Sequence, residues 1–446
     1  MQLRKHIRLL SWTAGDKLLF LGYGVVTWLQ IRALSPVEYG LAAQLLTLQA
    51  WIAIVTEGSL LQSVIQYGHD ERQRARADTI ALGLHTAFTL AIALTIAAFG
   101  AQLARVFDEP RFQEVAQILP LYCFLGIPRS FALKLLQREF RVREVFATNI
   151  AWLGTSTLLT VVFLARGQLR SFSDMAIIAC SGMAVGSIVG SFLARDLYRW
   201  SLDGTLTLRS VLRFSLPQAV MMALATSIRQ LDIFLVQLFF STGAAGVYNA
   251  AKMLYRVFET GADAATWLMY PAAVRLLHEE QHDKLRSLIG KSVVVQFAVA
   301  FVAVVVLEAG GTKLIVGFLG GSYREATTVF NVMALGALFL PLVALQSVLL
   351  ALHRVEQLLG ITSLGVAAAL VTYTVFGALD LFAFVGSGVV VYAAVVGVLL
   401  WRAVAALGSL SRVDVVRAVS DIRTAIGAIV RHRSQIVGPT EQRGNR

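Results

Sequence analysis

The chain has 446 residues, 57% hydrophobic and only 15% charged, with a mean hydropathy of +0.69 and a formal net charge of +12. A water-soluble surface needs roughly a quarter of its residues charged, so a soluble globular protein is excluded. The apolar residues come in blocks of about 20, as around 87–101, 293–307 and 383–400, each able to cross roughly 30 Å of hydrocarbon as a helix.

In chain order, a first span is expected at 11–33. Its basic start (Arg4, Lys5, Arg8) resembles a signal peptide, but Asp16 and Lys17 interrupt the apolar core and no small-residue cleavage site follows, so it reads as a retained helix. Ser35-Pro36 breaks the chain before a second span at 39–64, which carries Glu57 directly before Gly58. Spans at 80–104, 114–136, 146–165 and 174–198 complete a first set of six. The fourth holds Arg129 just after Pro128, and the sixth holds Gly182, Gly186 and Gly190, a small-xxx-small packing face. A segment at 200–213 leads to six further spans at 214–240, 245–275, 292–310, 326–352, 357–379 and 382–405. Cys123 and Cys180 fall inside apolar blocks and read as small core residues.

The tail repeats apolar residues at Val415, Val419, Ile422, Ile426 and Ile429 with arginines between, the pattern of a basic amphipathic helix on the inner membrane surface; docking to a partner is the lesser alternative. Polar composition from Ser434 onward reads as disorder. With the N-terminus inside, Arg72/Arg74/Arg76, Arg138/Arg141/Arg143, Arg195/Arg199/Arg209/Arg213 and Lys284/Arg286/Lys291 all face the cytoplasm with the tail. Both termini are therefore expected in the cytoplasm. Most of the excess charge is then a topology signal and a match to anionic lipid, not a nucleic-acid surface.

A faint internal repeat organises these spans. Leu34-Ser35-Pro36-Val37-Glu38-Tyr39-Gly40-Leu41 separates helices one and two; Phe240-Ser241-Thr242-Gly243-Ala244-Ala245-Gly246-Val247 does the same for helices seven and eight, with the same Ser-to-Gly spacing. Both copies face one side, which predicts parallel repeats of six helices and a cavity between two lobes. The expected organisation is an N-lobe at 1–199, a cytoplasmic linker at 200–213, a C-lobe at 214–405 and a tail at 406–446.

Ionisable groups inside spans are costly and mark function. Lys252, Arg256, Glu259 and Asp263 are spaced four, three and four apart, so they share one face of the eighth span, with Tyr248 a turn away. That face either lines a watered cavity or pairs internally to hold the helix. Helix seven adds Arg229 and Asp232, and helix four adds Arg129. Arg129, Arg229, Lys252 and Arg256 are the candidates for binding an anion, carboxylate or phosphate. Glu57, Asp232, Glu259 and Asp263 are the candidates for ion coupling or pairing. Asp16, Lys17 and Glu57 lie near span ends, where snorkelling is the cheaper explanation. His278-Glu279-Glu280-Gln281-His282 matches the H-E-x-x-H zinc pattern in letters only, since it sits in a short charged connection with no third ligand. No metal site, cofactor or nucleotide-binding loop is expected, and the chain reads as a transporter, not an enzyme.

These residues resemble a known family. Ala33-Leu34-Ser35-Pro36-Val37-Glu38-Tyr39-Gly40, Arg213-Phe214-Ser215-Leu216-Pro217, Ala245-Gly246-Val247-Tyr248-Asn249-Ala250-Ala251 and Tyr270-Pro271-Ala272 are similar, in order and spacing, to polysaccharide flippases of the multidrug/oligosaccharidyl-lipid/polysaccharide (MOP) exporter superfamily. The family more often has Asp, a spacer and Gly where this chain has Glu57-Gly58. Twelve helices instead of fourteen separate it from the lipid II flippase branch. The resemblance implies a MATE-like fold and movement of an undecaprenyl-pyrophosphate-linked oligosaccharide across the bacterial inner membrane for surface polysaccharide, such as lipopolysaccharide. Alternating access around a cationic cavity, with membrane lipids and polysaccharide assembly proteins as partners, goes with it. Coupling to H+ or Na+ stays open, as does a cation-coupled small-molecule exporter of the same superfamily. A membrane-embedded glycosyltransferase would need a large outer loop, and the longest here, near 310–325, is short.

Overall fold

The structure is a computed structural model that describes residues 2–68, 71–352, 354–408, 416–417 and 419–421. The helices are α1 (Gln2–Ala33), α2 (Pro36–Ser59) continuing into α3 (Gln62–Tyr67), α4 (Glu71–Ala98) into α5 (Gly100–Val106), α6 (Phe112–Arg138), α7 (Val142–Ala165) and α8 (Phe172–Leu193). They are followed by α9 (Leu208–Gln230) into α10 (Asp232–Phe239), α11 (Thr242–His278), α12 (His282–Leu319), α13 (Arg324–Gly336) into α14 (Leu340–Val343) and α15 (Gln346–Ala351), α16 (Val355–Ala378) and α17 (Ser387–Ala406). Joined across their short breaks they form twelve rods in the expected order, with no strand among the described residues.

Eight of the rods are long and apolar enough to cross a membrane, and the bent pair Gly321–Gly336 and Leu340–Ala351 would make a ninth. The others fall short for identifiable reasons. The apolar part of α1 is confined to Leu18–Ala33. The α9–α10 rod breaks at Leu231 beside Asp232, and α11 carries the charged stripe read above. Ionisable groups within a membrane-spanning rod are turned away from lipid.

Contacts divide the chain into two compact units. The first comprises Met1–Met253, Lys313–Thr327 and Phe376–Phe382. In it the glycine face of α8 is a packing surface, as expected: a side chain at Gly182 would collide with Ser156 of α7, and a Cβ at Gly186 would lie 2.7 Å from the Trp152 Cβ. The 200–213 segment lies strapped along α4, with Ser201 N donating to Thr79 Oγ1 at 3.1 Å and Leu206 and Val211 buried against Ala77 and Ile80.

The internal repeat meets itself in this unit. Ser35 caps α2 by accepting from Glu38 N, and Ser241 accepts from Ala244 N in the same register. Five residues after each serine stand Gly40 and Gly246, where the two helix starts cross. A side chain on Gly40 would strike the Thr242 carbonyl, and one on Gly246 the Pro36 carbonyl. Asn249 then donates to the Tyr39 hydroxyl at 2.9 Å, and the Tyr323 hydroxyl donates to the Leu34 carbonyl at 3.2 Å. The shared Ser-to-Gly spacing is thus a cap followed by a close helix crossing.

The second unit comprises Leu254–Thr312, Thr328–Val375 and Ala383–Arg446. Its core joins Met269, Ala273 and Leu276 of α11 to Leu285, Ile289 and Val293 of α12, and to Val348, Leu349, Val396 and Leu400. Asp421 pairs with Lys291 Nζ at 2.8 Å. Val416 and Val419 are exposed; most of the expected amphipathic tail lies outside the described residues. The zinc-like motif is split by the fold: His278 ends α11, His282 begins α12, and Glu280 between them is left-handed, with φ 57°. Two histidines on different helices are not the single-helix pair that the zinc motif requires.

Candidate functional site

The best-defined polar site lies inside the first unit, on α6. Pro120 and Pro128 lie inside that helix, each without an N–H for its hydrogen-bond ladder, and Ser187 of α8 donates to the nearby Leu125 carbonyl. One residue past Pro128, Arg129 is only 8% exposed. Its Nη2 donates to Asn149 Oδ1 of α7 at 2.6 Å, and its guanidinium lies 4.1 Å from the centre of the Trp152 ring. Asn149 Nδ2 in turn donates to Asp16 Oδ1 of α1 at 2.7 Å. Among the described residues Arg129 makes no ion pair with a carboxylate, and its Nε has no partner.

This cluster is the first step of a polar ladder. On α1, Asp16, Tyr23 and Gln30 are seven apart; on α7, Asn149 and Ser156 are seven apart and Thr160 follows. Seven residues are close to two helical turns, so each set shares a face. Gln30 Nε2 donates to Thr160 Oγ1 at 2.9 Å, and Tyr23 lies beside Gln30 and Ser156. On α6, Tyr122 sits seven residues before Arg129, within its electrostatic reach.

Glu57 of α2 accepts from the Ser130 hydroxyl, and Lys134 lies in its field. Asp16 and Glu57, expected to snorkel at span ends, instead take hydrogen bonds from Asn149 and Ser130 inside the unit. The side chains of Lys17 and Arg229 lie outside the described residues; the backbone places Arg229 in the last turn of α9.

Lys252 and Asp232 form a buried ion pair. Lys252 Nζ reaches both carboxylate oxygens, at 2.6 and 2.5 Å, and the Tyr248 hydroxyl donates to Asp232 Oδ2 at 2.6 Å. The charged stripe of α11 is divided between the units. Lys252 belongs to the first, whereas Arg256, exposed, and Glu259 and Asp263, half-buried, belong to the second.

Sequence reasoning missed Asn149 and Trp152, which hold Arg129, because it searched spans for charges and not for heptad-spaced amides and hydroxyls. It also took Arg138 for a loop charge. Arg138 is instead buried against Asp78, at 2.6 and 3.1 Å, with Arg74 on Glu139 beside it. On the same side, outside the spans, Arg141 donates to Asp196 at 3.0 Å and holds its carboxyl below the usual carboxylate range.

An all-helical fold of long apolar rods, with an arginine, an ion pair and a polar ladder held among them, defines a multi-pass membrane protein. Its fold is that of the MOP superfamily. The lipid II flippase MurJ in an inward closed conformation superimposes with a TM-score of 0.71 at 11% identity, over 96% of this chain and 93% of that one. An inward-facing multidrug resistance MATE family transporter gives 0.67 at 13% identity, over 86% and 94%. A MOP superfamily transporter from Pyrococcus furiosus gives 0.51 at 13%, over 89% and 91%. No curated protein matches the chain in sequence. The family model described as polysaccharide biosynthesis protein matches residues 31–328, and the chain belongs to that family.

Proposed function

We propose that the chain flips an undecaprenyl-pyrophosphate-linked oligosaccharide from the cytoplasmic to the outer leaflet of a bacterial inner membrane, for surface polysaccharide synthesis. The family assignment supports the polysaccharide context, and the likeness to a lipid II flippase supports a carrier fold for a lipid cargo. The observation that carries the anionic head group is Arg129, a buried guanidinium held by an amide where a carboxylate would have neutralised it. Two six-helix lobes, 1–199 and 214–405, joined by 200–213, would alternate access to a central cationic cavity, with both termini and the 406–446 tail cytoplasmic.

Arg129, Arg229 and Arg256 are the cations assigned to the pyrophosphate; Lys252 is assigned to its pair with Asp232. A negative interior favours outward movement of the anion by ~2.3 kcal/mol per charge per 100 mV. Coupled entry of H+ or Na+ at Glu57, Glu259 or Asp263 would add to that drive, and polysaccharide assembly proteins would receive the cargo outside. A second reading, a cation-coupled small-molecule exporter, draws on the MATE likeness and on the carboxylates Asp16 and Glu57 inside the first unit.

The test is deletion of the gene followed by lipid extraction. Build-up of an unflipped lipid-linked oligosaccharide in the inner leaflet is the expected result. Unchanged lipid-linked glycans, together with altered drug sensitivity, would favour the exporter.

A further inference from the structure

We infer that Asp16 and Asn149 are positioning residues that hold the Arg129 guanidinium without a carboxylate partner and aimed for a phosphate or pyrophosphate group. This rests on the reading of the cargo as a pyrophosphate-linked lipid, and adds to it the residues that make the site selective for an anion.

An asparagine can present either a donor or an acceptor. Its amide has a donor end and an acceptor end, and neighbours decide which faces where. A carboxylate can only accept, so Asp16 draws the Asn149 NH2 group to itself at 2.7 Å. That leaves Asn149 Oδ1 facing Arg129, where it accepts from Nη2 at 2.6 Å. Without Asp16 the amide could turn and set donor against donor. The neutral oxygen orients the guanidinium without cancelling its charge, whereas a carboxylate there would form a bidentate pair and spend both.

The other buried cations show the contrast. Lys252 is closed by Asp232 and Arg138 by Asp78. Around Arg129, Glu57 and Asp16 act only through space, because each is engaged elsewhere, with Ser130 and Asn149. Trp152 supports the flat face of the guanidinium, and Gly186 leaves room behind: a Cβ there would stand 3.3 Å from Arg129 Cδ and 2.7 Å from Trp152 Cβ. Among the described residues one guanidinium donor of Arg129, Nη2, makes a hydrogen bond, whereas Arg138 places both Nη1 and Nη2 on Asp78.

The experiment titrates the purified full chain in detergent with inorganic pyrophosphate and follows Trp152 fluorescence as the difference between the wild type and W152F. The wild type should give a saturable change that R129Q abolishes. N149D, of the same shape and made in the D16N background so that the new carboxylate does not face a second one, should raise the half-saturation concentration about tenfold or more over D16N alone, the scale of one added charge contact. Its thermal midpoint should stay level or rise, because the new carboxylate pairs with Arg129. A merely structural role would move stability and affinity down together. D16A should weaken binding, and D16N, whose side-chain oxygen still accepts from Asn149, should restore it to within about twofold.

Pyrophosphate binding by the D16N/N149D double variant as tight as by D16N would overturn the role of Asn149, and unchanged binding by D16A that of Asp16. A wild type that ignores pyrophosphate would overturn the whole assignment. The titration involves no lipid and no transport, so its failure is distinct from failure of the cargo reading, which the lipid extraction decides separately.

Discussion

Arg129, Arg138 and Lys252 are the buried cations among the described residues, and their partners predict different consequences of mutation. Lys252 and Asp232 satisfy each other, so Lys252→Gln leaves a buried carboxylate without its counter-charge, at a cost of about 3–5 kcal/mol. Thermal unfolding in detergent should show a lowered midpoint for that variant. Replacing both partners by Met and Leu should recover most of the loss, since a pair removed whole leaves no orphan charge. Arg129→Gln should behave in the opposite manner. The glutamine amide can still meet Asn149, so the midpoint should stay close to wild type, while flipping measured in reconstituted vesicles falls about tenfold or more with the lost charge. That Arg129 would be buried and charged was legible from its place beside Pro128 in mid-span. That Lys252 would be neutralised was not, because its partner lies 20 residues away on another helix.

At the level of elements, the crossing of α2 and α11 has a clear local logic. Serine caps, glycine five residues on and a tyrosine–asparagine bond hold two helix starts at backbone contact. The repeat itself was readable in the sequence; that its two copies touch was not, since the contact joins residues 206 apart. Gly246→Ala places a methyl against the Pro36 carbonyl and should force the helices apart, lowering the unfolding midpoint. A Cβ on Gly243 would lie 3.4 Å from Val37 Cγ2, so a Val37→Cys/Gly243→Cys double variant should crosslink on mild oxidation. If release to the outer leaflet requires this crossing to open, the crosslinked protein should stop flipping and recover on reduction. Undiminished flipping by the fully crosslinked protein would exclude the crossing as a gate. The α1–α7 ladder teaches a related lesson. Its seven-residue spacing stands in plain view at Asp16, Tyr23 and Gln30, but polar residues at such spacing specify a face and not the helix that will meet it.

At the scale of the molecule, the proposed carriage of an anionic head group makes transport electrical. Collapsing an interior-negative potential across the vesicle membrane should slow outward flipping, by an amount that grows with the charge moved and ~2.3 kcal/mol per charge per 100 mV as its limit. A rate indifferent to potential would point to compensating cation entry. The membrane class, the order and approximate ends of twelve rods and the family were all legible from composition and local pattern. These follow from a constraint that acts along the chain: in hydrocarbon each helix must satisfy its own backbone and present apolar side chains over a fixed length. Which charges cancel and which stay available followed only from the fold. Pairing of Lys252 with Asp232, Arg138 with Asp78 and Arg129 with Asn149 depends on which helix faces meet. That choice is made by side-chain packing between distant segments, on which spacing within any one helix is silent.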